Sequence, residues 1–566
     1  MLTLQLDEVR RLTGPNLLWD KPGAIIDVLF EGIAHSQVLD CLQTWVDKLL
    51  TEFAWQQESY TYRMHEHGLN FAISAPFDAL YSACDLLELA WDCCVCELQQ
   101  QPMLAWQPRL QGIRAELLDE KKPHLLALIQ QAAKQQVTCL VDDDELSLGM
   151  GATAQTWPIN ALPNIEHIEW SQYQDIPSAL ITGTNGKSTS VRLAAKIAKA
   201  AGICAGVTST DFIRVGDDVL DYGDYSGPGG ARMLLRDTRC QLAFLEVARG
   251  GILRRGLPVT RVNAALITNV ASDHLGQYGI NTVAELAQTK FVVAKALGDR
   301  SILVLNADDE MVISQAQHIK TPICWFSRDE NNGLIQQQID LGAPAVFVRC
   351  DEIVFHDKGK FESICSIDSA PMTLNGSAWH NIQNALGVVG LAKALDLPHF
   401  AIVQGLQEFG SDSQDNPGRG NIYHIKGRHV IVDFAHNEHG MRAVINMAVQ
   451  LKAKRYIAMF SHAGDRSNED MQNLTKAVSE LNASLYIPAE LEKYLRGRAP
   501  NEIPALSQHF LLNLGISAEH IKLANSPLLG AKQALAAAEE GDVILLFVLD
   551  QRQEIHQWLL SQSQEE

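Results

Sequence analysis

Short apolar runs alternate with helix-like segments from Ala179 onward. The runs contain four to six residues and are Ala179–Thr182, Leu242–Glu246, Ala264–Asn269 and Ile302–Leu305. The segments with helical spacing of apolar residues are Thr189–Ala201, Val283–Leu297 and Asn381–Leu395. Strands that are apolar at every position, rather than at alternate positions, are typical of a parallel sheet covered on both faces. The pattern therefore predicts a central α/β domain.

The regions on either side of this domain have a different pattern. Before it, strand-like Ala24–Phe30 and Leu69–Ser74 flank helix-like Gln37–Phe53 and Ala79–Gln99, which predicts a small α+β domain. The stretch 158–177 contains proline and polar residues and predicts a connector. After the central domain, a Ser-, Asp-, Pro- and Gly-rich break covers 411–420. Apolar strands then resume at His429–Phe434, Arg455–Phe460, Ser484–Ile487 and Asp542–Leu549.

We therefore predict three domains. They are an N-terminal α+β domain over 1–165, a parallel-sheet ATPase domain over 166–415, and a Rossmann-like α/β domain over 416–566. The length of 566 residues fits this division, because single domains rarely exceed about 250 residues. The last six residues, SQSQEE, are predicted to fray.

Composition narrows the class of protein. The formal net charge is -21, which disfavours nucleic acid and anionic membranes as partners. The N-terminus lacks the pattern of a signal peptide, and no apolar run is long enough to cross a bilayer, so a reducing cytoplasm is expected. Cys93, Cys94 and Cys96 have poor spacing for zinc and lie in an apolar helical stretch. We expect them to be buried thiols.

The chain contains one strong candidate for a phosphate-binding loop. Residues 182–188 are Thr-Gly-Thr-Asn-Gly-Lys-Ser, between a predicted strand and a predicted helix, which is the context this motif requires. Gly183 and Gly186 allow the backbone to approach phosphate oxygens at the helix start. Lys187 is expected to bridge the β- and γ-phosphates of ATP, and the Ser188 hydroxyl to bind Mg²⁺. The residues expected to bind ATP here are Gly183, Thr184, Asn185, Gly186, Lys187, Ser188 and Thr189.

This loop departs from the general P-loop form, because Ile181 stands where that form has its first glycine. The shorter T-G-T-N-G-K-[ST] form resembles the Mur ligase superfamily. That superfamily includes the peptidoglycan amino-acid ligases, folylpolyglutamate synthetase and the C-terminal half of cyanophycin synthetase. The resemblance implies an enzyme that uses ATP and Mg²⁺.

Three further residues match positions at which this superfamily holds Mg²⁺. Glu246 ends a predicted strand, where a carboxylate suits a hard cation and faces the ligand crevice. His274 lies in a segment similar to the family's T-N-[IV]-x-x-D-H-L, whose histidine binds the second Mg²⁺. Lys290 matches a lysine that many Mur ligases carbamylate, and an ordinary surface lysine is the alternative. With Lys187, these residues form the implied catalytic set.

Later motifs resemble the parts of the family that contact the nucleotide. They are the N-x-D-D turn, the H-N-x-x-N-A helix, a G-R element and the D-[YF]-A-H-N segment, followed by G-D-R at 464–466. The resemblance implies that the C-terminal domain closes over ATP bound to the central domain, which also excludes water. The residues that it implies are Asn306, Asp309, His380, Asn381, Asn384, Arg419, Asp433, His436 and Asn437.

Within the superfamily, Thr208–Gly276 is most similar to cyanophycin synthetase. The matching residues include Thr210-Asp211 and the segment Glu246–Arg254, which fits that family's E-x-A-R-G-G-I-L-R. Leu12–Asn16 resembles the L-x-G-P-N start of the same family. Cyanophycin synthetases carry an ATP-grasp module between these two regions, and this chain has no room for it. The resemblance therefore implies the single ligation of the Mur-like half and leaves polymer formation open.

The implied reaction joins a small-molecule or peptide carboxylate to an amino acid or similar amine, through an acyl phosphate. Arg249, Arg254 and Arg255 are candidates for binding the carboxylate, and a solvated face is an equal alternative. Two other classes remain open. One is a non-catalytic or accessory subunit that works with a separate ATP-grasp ligase, and the other is a P-loop kinase or nucleotide-hydrolysing switch. Assembly into a homo-oligomer is also open.

Overall fold

The computed structural model describes residues 2–563, which form four β-sheets with surrounding helices. The predicted α/β class with three parts is confirmed. Of the predicted frayed tail, 561–563 close the last helix, and 564–566 lie outside the described residues.

The N-terminal part is an antiparallel sheet with helices against one face. Its strands have the spatial order β1-β2-β4-β3. The elements are β1 (Thr3–Leu12), β2 (Gly23–Glu31), α1 (His35–Glu52), β3 (Tyr60–His65), β4 (Gly68–Ser74), α2 (Leu80–Leu98) and α3 (Trp106–Glu120). Apolar side chains of the sheet, α1 and α2 form one core. Cys93 and Cys94 on α2 are buried in it, as predicted, and Cys96 is half-buried.

A smaller unit follows before the central domain. It contains α4 (Pro123–Lys134) and a three-stranded antiparallel sheet of β5 (Cys139–Val141), β6 (Glu145–Leu148) and β7 (Gln155–Pro158). The predicted connector forms short 3-10 turns whose Leu162 and Trp170 pack against the same small core. The connector is therefore attached along its length.

The central domain is built on an eleven-stranded sheet of order β11-β10-β9-β12-β8-β13-β14-β15-β16-β17-β18. The elements are β8 (Ser178–Thr182), α5 (Lys187–Ala200), β9 (Ala205–Thr208), β10 (Phe212–Val215), β11 (Asp218–Tyr222), α6 (Pro228–Leu235), β12 (Leu242–Glu246), α7 (Arg249–Arg254), β13 (Val262–Ile267), α8 (Val283–Phe291), β14 (Leu297–Asn306), α9 (Glu310–Ala316), β15 (Ile323–Ser327), α10 (Gly333–Leu341), β16 (Ala345–Arg349), β17 (Glu352–Asp357), β18 (Lys360–Ser366), α11 (Trp379–Ala394) and α12 (His399–Glu408).

Seven neighbouring strands, in the spatial order β9-β12-β8-β13-β14-β15-β16, are parallel. A separate hydrophobic core covers each face of the sheet, as the apolar runs predict. The sheet also has antiparallel hairpins at both edges, β10–β11 and β17–β18, which the pattern did not predict. Strand β11 and the first half of β18 are largely exposed, so they lack the continuous apolar character of the central strands.

The C-terminal domain has a five-stranded sheet of order β19-β20-β23-β21-β22. All of its strands except β19 are parallel, which fits the predicted α/β domain. The elements are β19 (Arg419–Ile425), β20 (Arg428–Asp433), α13 (Glu438–Val449), β21 (Tyr456–Phe460), α14 (Asn468–Ser479), β22 (Leu485–Pro488), α15 (Glu502–Asn513), α16 (Pro527–Ala537), β23 (Val543–Phe547) and α17 (Arg552–Ser563). Among residues 2–563, no helix has the length and apolar character needed to cross a bilayer.

The segment that joins the central and C-terminal domains is fixed to helix α5. Asn416 is 1% exposed, accepts a hydrogen bond from Arg192 Nη1 at 3.1 Å and donates one to Thr189 Oγ1 at 3.2 Å. Asn421 Nδ2 then donates to the carbonyl oxygens of Ser411 and Asn416, at 3.0 and 2.9 Å. The Ser- and Gly-rich break is therefore an ordered turn.

Candidate active site

The phosphate loop leaves the middle of the central sheet, where β8 lies between β12 and β13. Gly183 has φ +150° and Gly186 has φ +85°. A Cβ on Gly183 would lie 1.9 Å from Thr268 Oγ1, and one on Gly186 would lie 2.1 Å from Asn384 Oδ1. Both positions therefore require glycine for backbone conformation and for space. Gly186 caps α5, so the loop presents the start of that helix, as predicted.

The two residues that follow β13, Thr268 and Asn269, hold this loop in place by hydrogen bonds. Thr184 N donates to Asn269 O at 2.9 Å, and Asn185 N donates to Asn269 Oδ1 at 3.0 Å. Thr268 Oγ1 donates to the carbonyl of Asn185 at 2.6 Å. The Thr-Asn pair of the family motif thus fixes the backbone of the loop. Sequence reasoning did not include either residue in the site.

Asn306 and Asp309 lie behind Thr268 and Asn269. Asn306 Nδ2 donates to Thr268 O at 2.9 Å. Asp309 accepts from Val270 N at 2.7 Å and caps α9 through Met311 N. In the structure these side chains bind backbone groups, and their predicted contact with the nucleotide stays a prediction.

Glu246 lies at the carboxyl end of β12, close to the phosphate loop. It is 2% exposed; its Oε2 accepts from Thr210 N at 3.4 Å, and its Oε1 is buried without a hydrogen-bond partner. Burial raises the pKa of Glu246, whereas Lys187 and Arg419 oppose this rise. An unpaired carboxylate oxygen costs free energy unless a partner satisfies it. Its position beside Ser188 therefore fits a hard cation such as Mg²⁺.

A second group of candidate ligands comes from both domains. One side-chain ligand atom each of Asp273, His274 and His436 lies within 4.8 Å of the others. The carboxylate of Asp273 is 3.9 Å from Nε2 of either histidine. Burial lowers the pKa of His274, and lowers that of His436 to about 4, so both rings are neutral near pH 7. Arg466 Nη2 donates to Asp273 Oδ1 at 3.3 Å.

Two members of this group were not predicted as site residues. Asp273 and Arg466 both lie in the quoted family motifs, so the signal was present, but their pairing across 193 residues of sequence was not visible. Burial alone would raise the pKa of Asp273, but the positive charges of Arg466 and Lys187 help to lower it. His436, predicted to bind the nucleotide, is thus beside the predicted metal ligand His274.

Lys290 lies on α8 and is only 3% exposed, which excludes the surface-lysine alternative. Burial lowers its pKa well below the ordinary value, and the positive charge of Lys187 adds to this effect. Burial therefore shifts the amine toward its uncharged form. An uncharged amine is the form that reacts with carbon dioxide to give a carbamate.

A cleft between the central and C-terminal domains begins at the phosphate loop. We call it the nucleotide pocket. It is lined by Thr184, Asn185, Gly186, Lys187, Ser188, Thr189, Glu246, His380, Asn381, Asn384, Arg419, Asp433, His436, His439, Gly440 and Val444, among others. The structure thus brings together most of the predicted nucleotide residues. Burial lowers the pKa of His380 to about 4 and raises that of Asp433 to about 6.

A second cavity adjoins the nucleotide pocket. We call it the acceptor pocket. It is lined by Gly183, Lys187, Thr210, Asp211, Asp224, Arg249, Asp273, His274, Lys290, Phe434, His436, Asp465, Arg466, Tyr494, Arg496 and Arg552, among others. Lys187 and His436 line both cavities. Of the predicted arginine cluster, only Arg249 lies here. Arg254 is exposed and Arg255 donates to Arg11 O in the N-terminal sheet, so the three arginines do not converge.

Contacts between the two domains cross the nucleotide pocket. Asn185 and Asn437 exchange side-chain hydrogen bonds, and Arg419 Nη2 donates to Ser188 Oγ at 3.0 Å. Asp211, next to the loop, accepts from Arg552 of the C-terminal domain at 2.7 Å. It also accepts from the buried Arg192. Burial alone would raise the pKa of Asp211, but Arg419, Arg552 and Arg192 lower it. The sequence did not predict that Asp211, Arg192 and Arg552 lie together.

Two family models match consecutive parts of this chain. The model described as Mur ligase middle domain matches residues 181–392, and the model described as Mur ligase, glutamate ligase domain matches residues 418–547. The two models together match more than half of the 566 residues. The chain belongs to the Mur ligase family, as its motifs indicated.

Curated relatives refine the likeness. Cyanophycin synthetase of Crocosphaera subtropica is 33% identical over 377 residues, which are 66% of this chain and 42% of that protein. The UDP-N-acetylmuramoyl-L-alanyl-D-glutamate--2,6-diaminopimelate ligase of Clostridium botulinum is 24% identical over 376 residues, 65% of this chain and 71% of that protein. The chain therefore spans less than half the length of the cyanophycin synthetases that it matches.

Solved structures share the fold. FolC of E. coli in complex with ADP, without folate substrate, has a TM-score of 0.50 and 18% identity, and the match covers 68% of this chain and 90% of that one. A bifunctional folylpolyglutamate synthase/dihydrofolate synthase with Mn, AMPPNP and L-glutamate bound has a TM-score of 0.50 and 17% identity, covering 68% and 89%. At these identities the likeness shows the fold alone.

Proposed function

We propose that the chain is an ATP-dependent ligase that joins a carboxylate to an amino acid or a similar amine, with release of ADP and phosphate. One observation carries the proposal: Lys187 of the phosphate loop lines both the nucleotide pocket and the acceptor pocket. A phosphate of a nucleotide in the first pocket therefore meets a substrate in the second. That arrangement suits transfer of a phosphoryl group to a bound acceptor.

The proposed reaction has two steps. A carboxylate oxygen in the acceptor pocket attacks the γ-phosphorus of ATP, the bond to the β-γ bridging oxygen breaks, and ADP leaves. The amine nitrogen then attacks the acyl carbon, inorganic phosphate leaves, and the nitrogen loses a proton. Lys187 balances the negative charge that develops during phosphoryl transfer. Closure of the C-terminal domain keeps water from the acyl phosphate.

Metal binding is assigned by the same logic. Ser188 and Glu246 would hold one Mg²⁺, and Asp273 with His274 would contribute to a second, joined by Lys290 if it is carbamylated. The buried, unpaired Oε1 of Glu246 supports this assignment, since a cation would satisfy it. Mg²⁺, when bound, neutralises charge on the phosphate oxygens.

The other end of the nucleotide pocket is assigned to the base and ribose. His380, Asn381 and Asn384 of α11 form the central-domain wall at this end. His380 is neutral at pH 7 because burial lowers its pKa to about 4. An uncharged, partly apolar wall suits an aromatic base better than the cationic phosphate end does.

The acceptor pocket is assigned to the carboxylate and the amine. Arg249 is held in place by bonds to His274 O at 2.9 Å and to Gln277 Oε1 at 2.6 Å, so its guanidinium is preorganised. It is our candidate for binding a substrate carboxylate. Acidic side chains in the same pocket, Asp224 and Asp465, suit a positively charged amine-bearing substrate. The similarity to a UDP-N-acetylmuramoyl-L-alanyl-D-glutamate--2,6-diaminopimelate ligase supports an amino acid as the amine.

A screen of carboxylate and amino-acid pairs tests the proposal. Phosphate release is measured for each pair, and mass spectrometry identifies the product. We expect release that needs both substrates and yields an amide. ATP hydrolysis that is unaffected by any amine would instead support a nucleotide-hydrolysing switch.

An accessory role beside a separate ATP-grasp ligase is the second candidate. It is favoured by one fact, that the chain spans 42% of the cyanophycin synthetase from C. subtropica. Replacing Lys187 with alanine separates the two. Loss of product in cells that carry Lys187→Ala supports catalysis by this chain, and unchanged product supports the accessory role.

A further inference from the structure

A row of polar side chains crosses the N-terminal sheet. Each strand contributes one residue, in the spatial order of the strands: Arg10 on β1, Asp27 on β2, Asn70 on β4 and Arg63 on β3. Asp27 is the register partner of Asn70, and Asn70 is the register partner of Arg63. Directly paired residues point to the same face of a sheet. We call this row the arginine ladder.

The members of the arginine ladder bind one another without a gap. Arg10 forms an ion pair with Asp27. Asn70 Nδ2 donates to Asp27 Oδ1 at 2.7 Å, and Arg63 Nη1 donates to Asn70 Oδ1 at 3.1 Å. Arg10, Asp27 and Asn70 are 6%, 2% and 4% exposed. Buried charge-assisted bonds of this kind are strong, and removal of one member leaves the next unpaired.

Both ends of the ladder bind the backbone of the central domain. Arg10 Nε and Nη2 donate to Leu253 O in the last turn of α7, at 3.3 and 3.1 Å. Arg63 Nη1 and Nη2 both donate to Gly279 O at 3.0 Å, and Arg63 also forms an ion pair with Glu285. The sheet thus connects two places that are distant in the central-domain sequence.

These two places flank the proposed reaction site. Helix α7 begins with Arg249, which donates to the carbonyl of His274. Glu285 belongs to the first turn of α8, whose Lys290 lines the acceptor pocket. The segment 274–285 therefore runs from His274 to the start of α8, and the ladder holds its middle and its end.

The backbone of this segment has an unusual conformation that needs support. Four of its residues have positive φ: +49° at His274, +88° at Gly276, +56° at Tyr278 and +70° at Gly279. Positive φ is costly for His274 and Tyr278, because both carry a Cβ. Such a conformation persists when surrounding contacts over-determine it.

The N-terminal sheet provides those contacts. The Arg10 guanidinium lies 5.0 Å from the ring centroid of Tyr278, within range of a cation–π interaction. Next to it, Gly279 lies so close to the His65 ring that a Cβ there would be 2.4 Å from His65 Cδ2. Three side chains of the sheet therefore contact two consecutive residues of the segment.

The start of α8 is fixed in the same way. Glu285 Oε2 accepts from the backbone amides of Asn281 and Thr282, at 2.8 and 2.9 Å, and completes a capping box. Its other oxygen, Oε1, binds Arg63. Arg63 therefore sets the position of the helix that carries Lys290, which lies five residues, or about 1.4 helical turns, beyond Glu285.

We infer that the N-terminal domain positions His274 and Lys290 through the arginine ladder, and that Arg10 and Arg63 are positioning residues for ligation. The kinetic part of this inference rests on the proposed function. The structural part does not, because the ladder holds the 274–285 segment whatever reaction takes place there.

The test uses the full chain with Arg63→Met, which keeps length and removes the guanidinium. Arg63→Lys keeps the charge beside Glu285 and loses the fork on Gly279 O. The matched control is Arg109→Met, since Arg109 pairs with Asp92 in the same domain and away from the segment. Hydrogen–deuterium exchange of residues 275–286 is measured for all four proteins, together with kcat and KM for ATP.

We expect exchange in 275–286 to rise about tenfold in Arg63→Met, with a smaller rise in Arg63→Lys and none in Arg109→Met. The kcat should fall while KM for ATP stays unchanged, because the ladder does not touch the phosphate loop. Unchanged exchange in both folded Arg63 variants overturns the inference. Faster exchange in Arg63→Met, combined with a wild-type chain that ligates no substrate pair, supports the ladder and rejects the proposed function. If Arg63→Met does not fold, Arg63→Lys decides by the same two measurements.

Discussion

Asn185 of the phosphate loop and Asn437 of the C-terminal domain exchange a reciprocal pair of side-chain hydrogen bonds. Asn185 Nδ2 donates to Asn437 Oδ1 at 3.1 Å, and Asn437 Nδ2 donates to Asn185 Oδ1 at 2.9 Å. Asn437 Oδ1 also accepts from Gly440 N and so caps α13. One buried amide therefore joins the loop, the facing domain and the start of a helix.

Two substitutions of Asn437 separate these roles. Asn437→Ala loses the cap and both bonds, and we expect about 1 kcal/mol lower unfolding free energy and a KM for ATP raised about tenfold. Asn437→Asp keeps an oxygen for the cap but cannot donate to Asn185. We expect it to retain most of the stability and to share the KM defect. Urea unfolding and steady-state kinetics measure both, and an unchanged KM in both variants would contradict the assigned role.

Asp211 holds a cluster of positive charge beside the phosphate loop. Asp211→Asn leaves Arg192, which is 2% exposed, without its charged partner. Breaking a buried pair on one side typically costs about 3 kcal/mol, and we expect a loss of that order in unfolding free energy. The control is Asp217→Asn, because the Asp217–Lys199 pair is largely exposed and should contribute less than about 1 kcal/mol. Equal losses from the two substitutions would reject the central role of Asp211.

Carbamylation of Lys290 should make the activity depend on bicarbonate. Its amine is buried, and burial lowers its pKa well below the ordinary value, which favours the uncharged form that reacts with carbon dioxide. We expect activity to fall in buffers freed of carbon dioxide and to recover when bicarbonate is added. Lys290→Gln should have low activity that bicarbonate does not change. Activity of the wild-type chain that ignores bicarbonate would show that carbamylation is not needed.

His462 should contribute to acid destabilisation. It follows β21, contacts Thr475 Oγ1 at 3.2 Å, and is 1% exposed. Burial lowers its pKa from 6.5 to about 3, so below pH 6.5 the unfolded chain takes up a proton that the folded chain refuses. Its contribution is present above pH 6.5 and is lost as the pH falls toward 3, by about 1.4 kcal/mol per pH unit.

Urea unfolding at pH 7 and pH 5 measures this term. We expect the wild-type chain to lose about 2 kcal/mol more unfolding free energy than His462→Gln over this interval. Other buried histidines, such as His380, contribute to the total loss in both proteins and cancel in the difference. The same pH dependence in both proteins would show that His462 is accessible to protons in the folded state.

The sequence predicted the parts of the fold that depend on local pattern. The strands β8 and β12 have continuous apolar cores, Ala179–Ile181 and Leu242–Leu245, so their burial in a parallel sheet followed from the pattern. The edge hairpins were missed because β11 carries exposed residues such as Asp218 and Tyr222 at most positions. Such strands resemble loops in a single sequence.

The site shows a similar division. The phosphate loop and Glu246 could be placed from motifs because each lies at the end of a buried strand. The pairing of Asp211 with Arg552 could not, since 341 residues separate them. The same holds for the contact of Arg63 with Glu285, which depends on how one domain docks on another. Neither pair follows from the spacing of apolar and polar residues along the sequence.

The ordered turn between the central and C-terminal domains limits how the nucleotide pocket can open. Asn416 ties the turn to α5, the helix that starts at the phosphate loop, and Asn421 ties it to the first strand of the C-terminal domain. Because hydrogen bonds hold the turn to both domains, rotation about the turn is the main motion left to the C-terminal domain. We therefore expect any opening of the nucleotide pocket to be a rigid-body rotation about this turn, which would bring Asn437 back to Asn185 when the pocket closes.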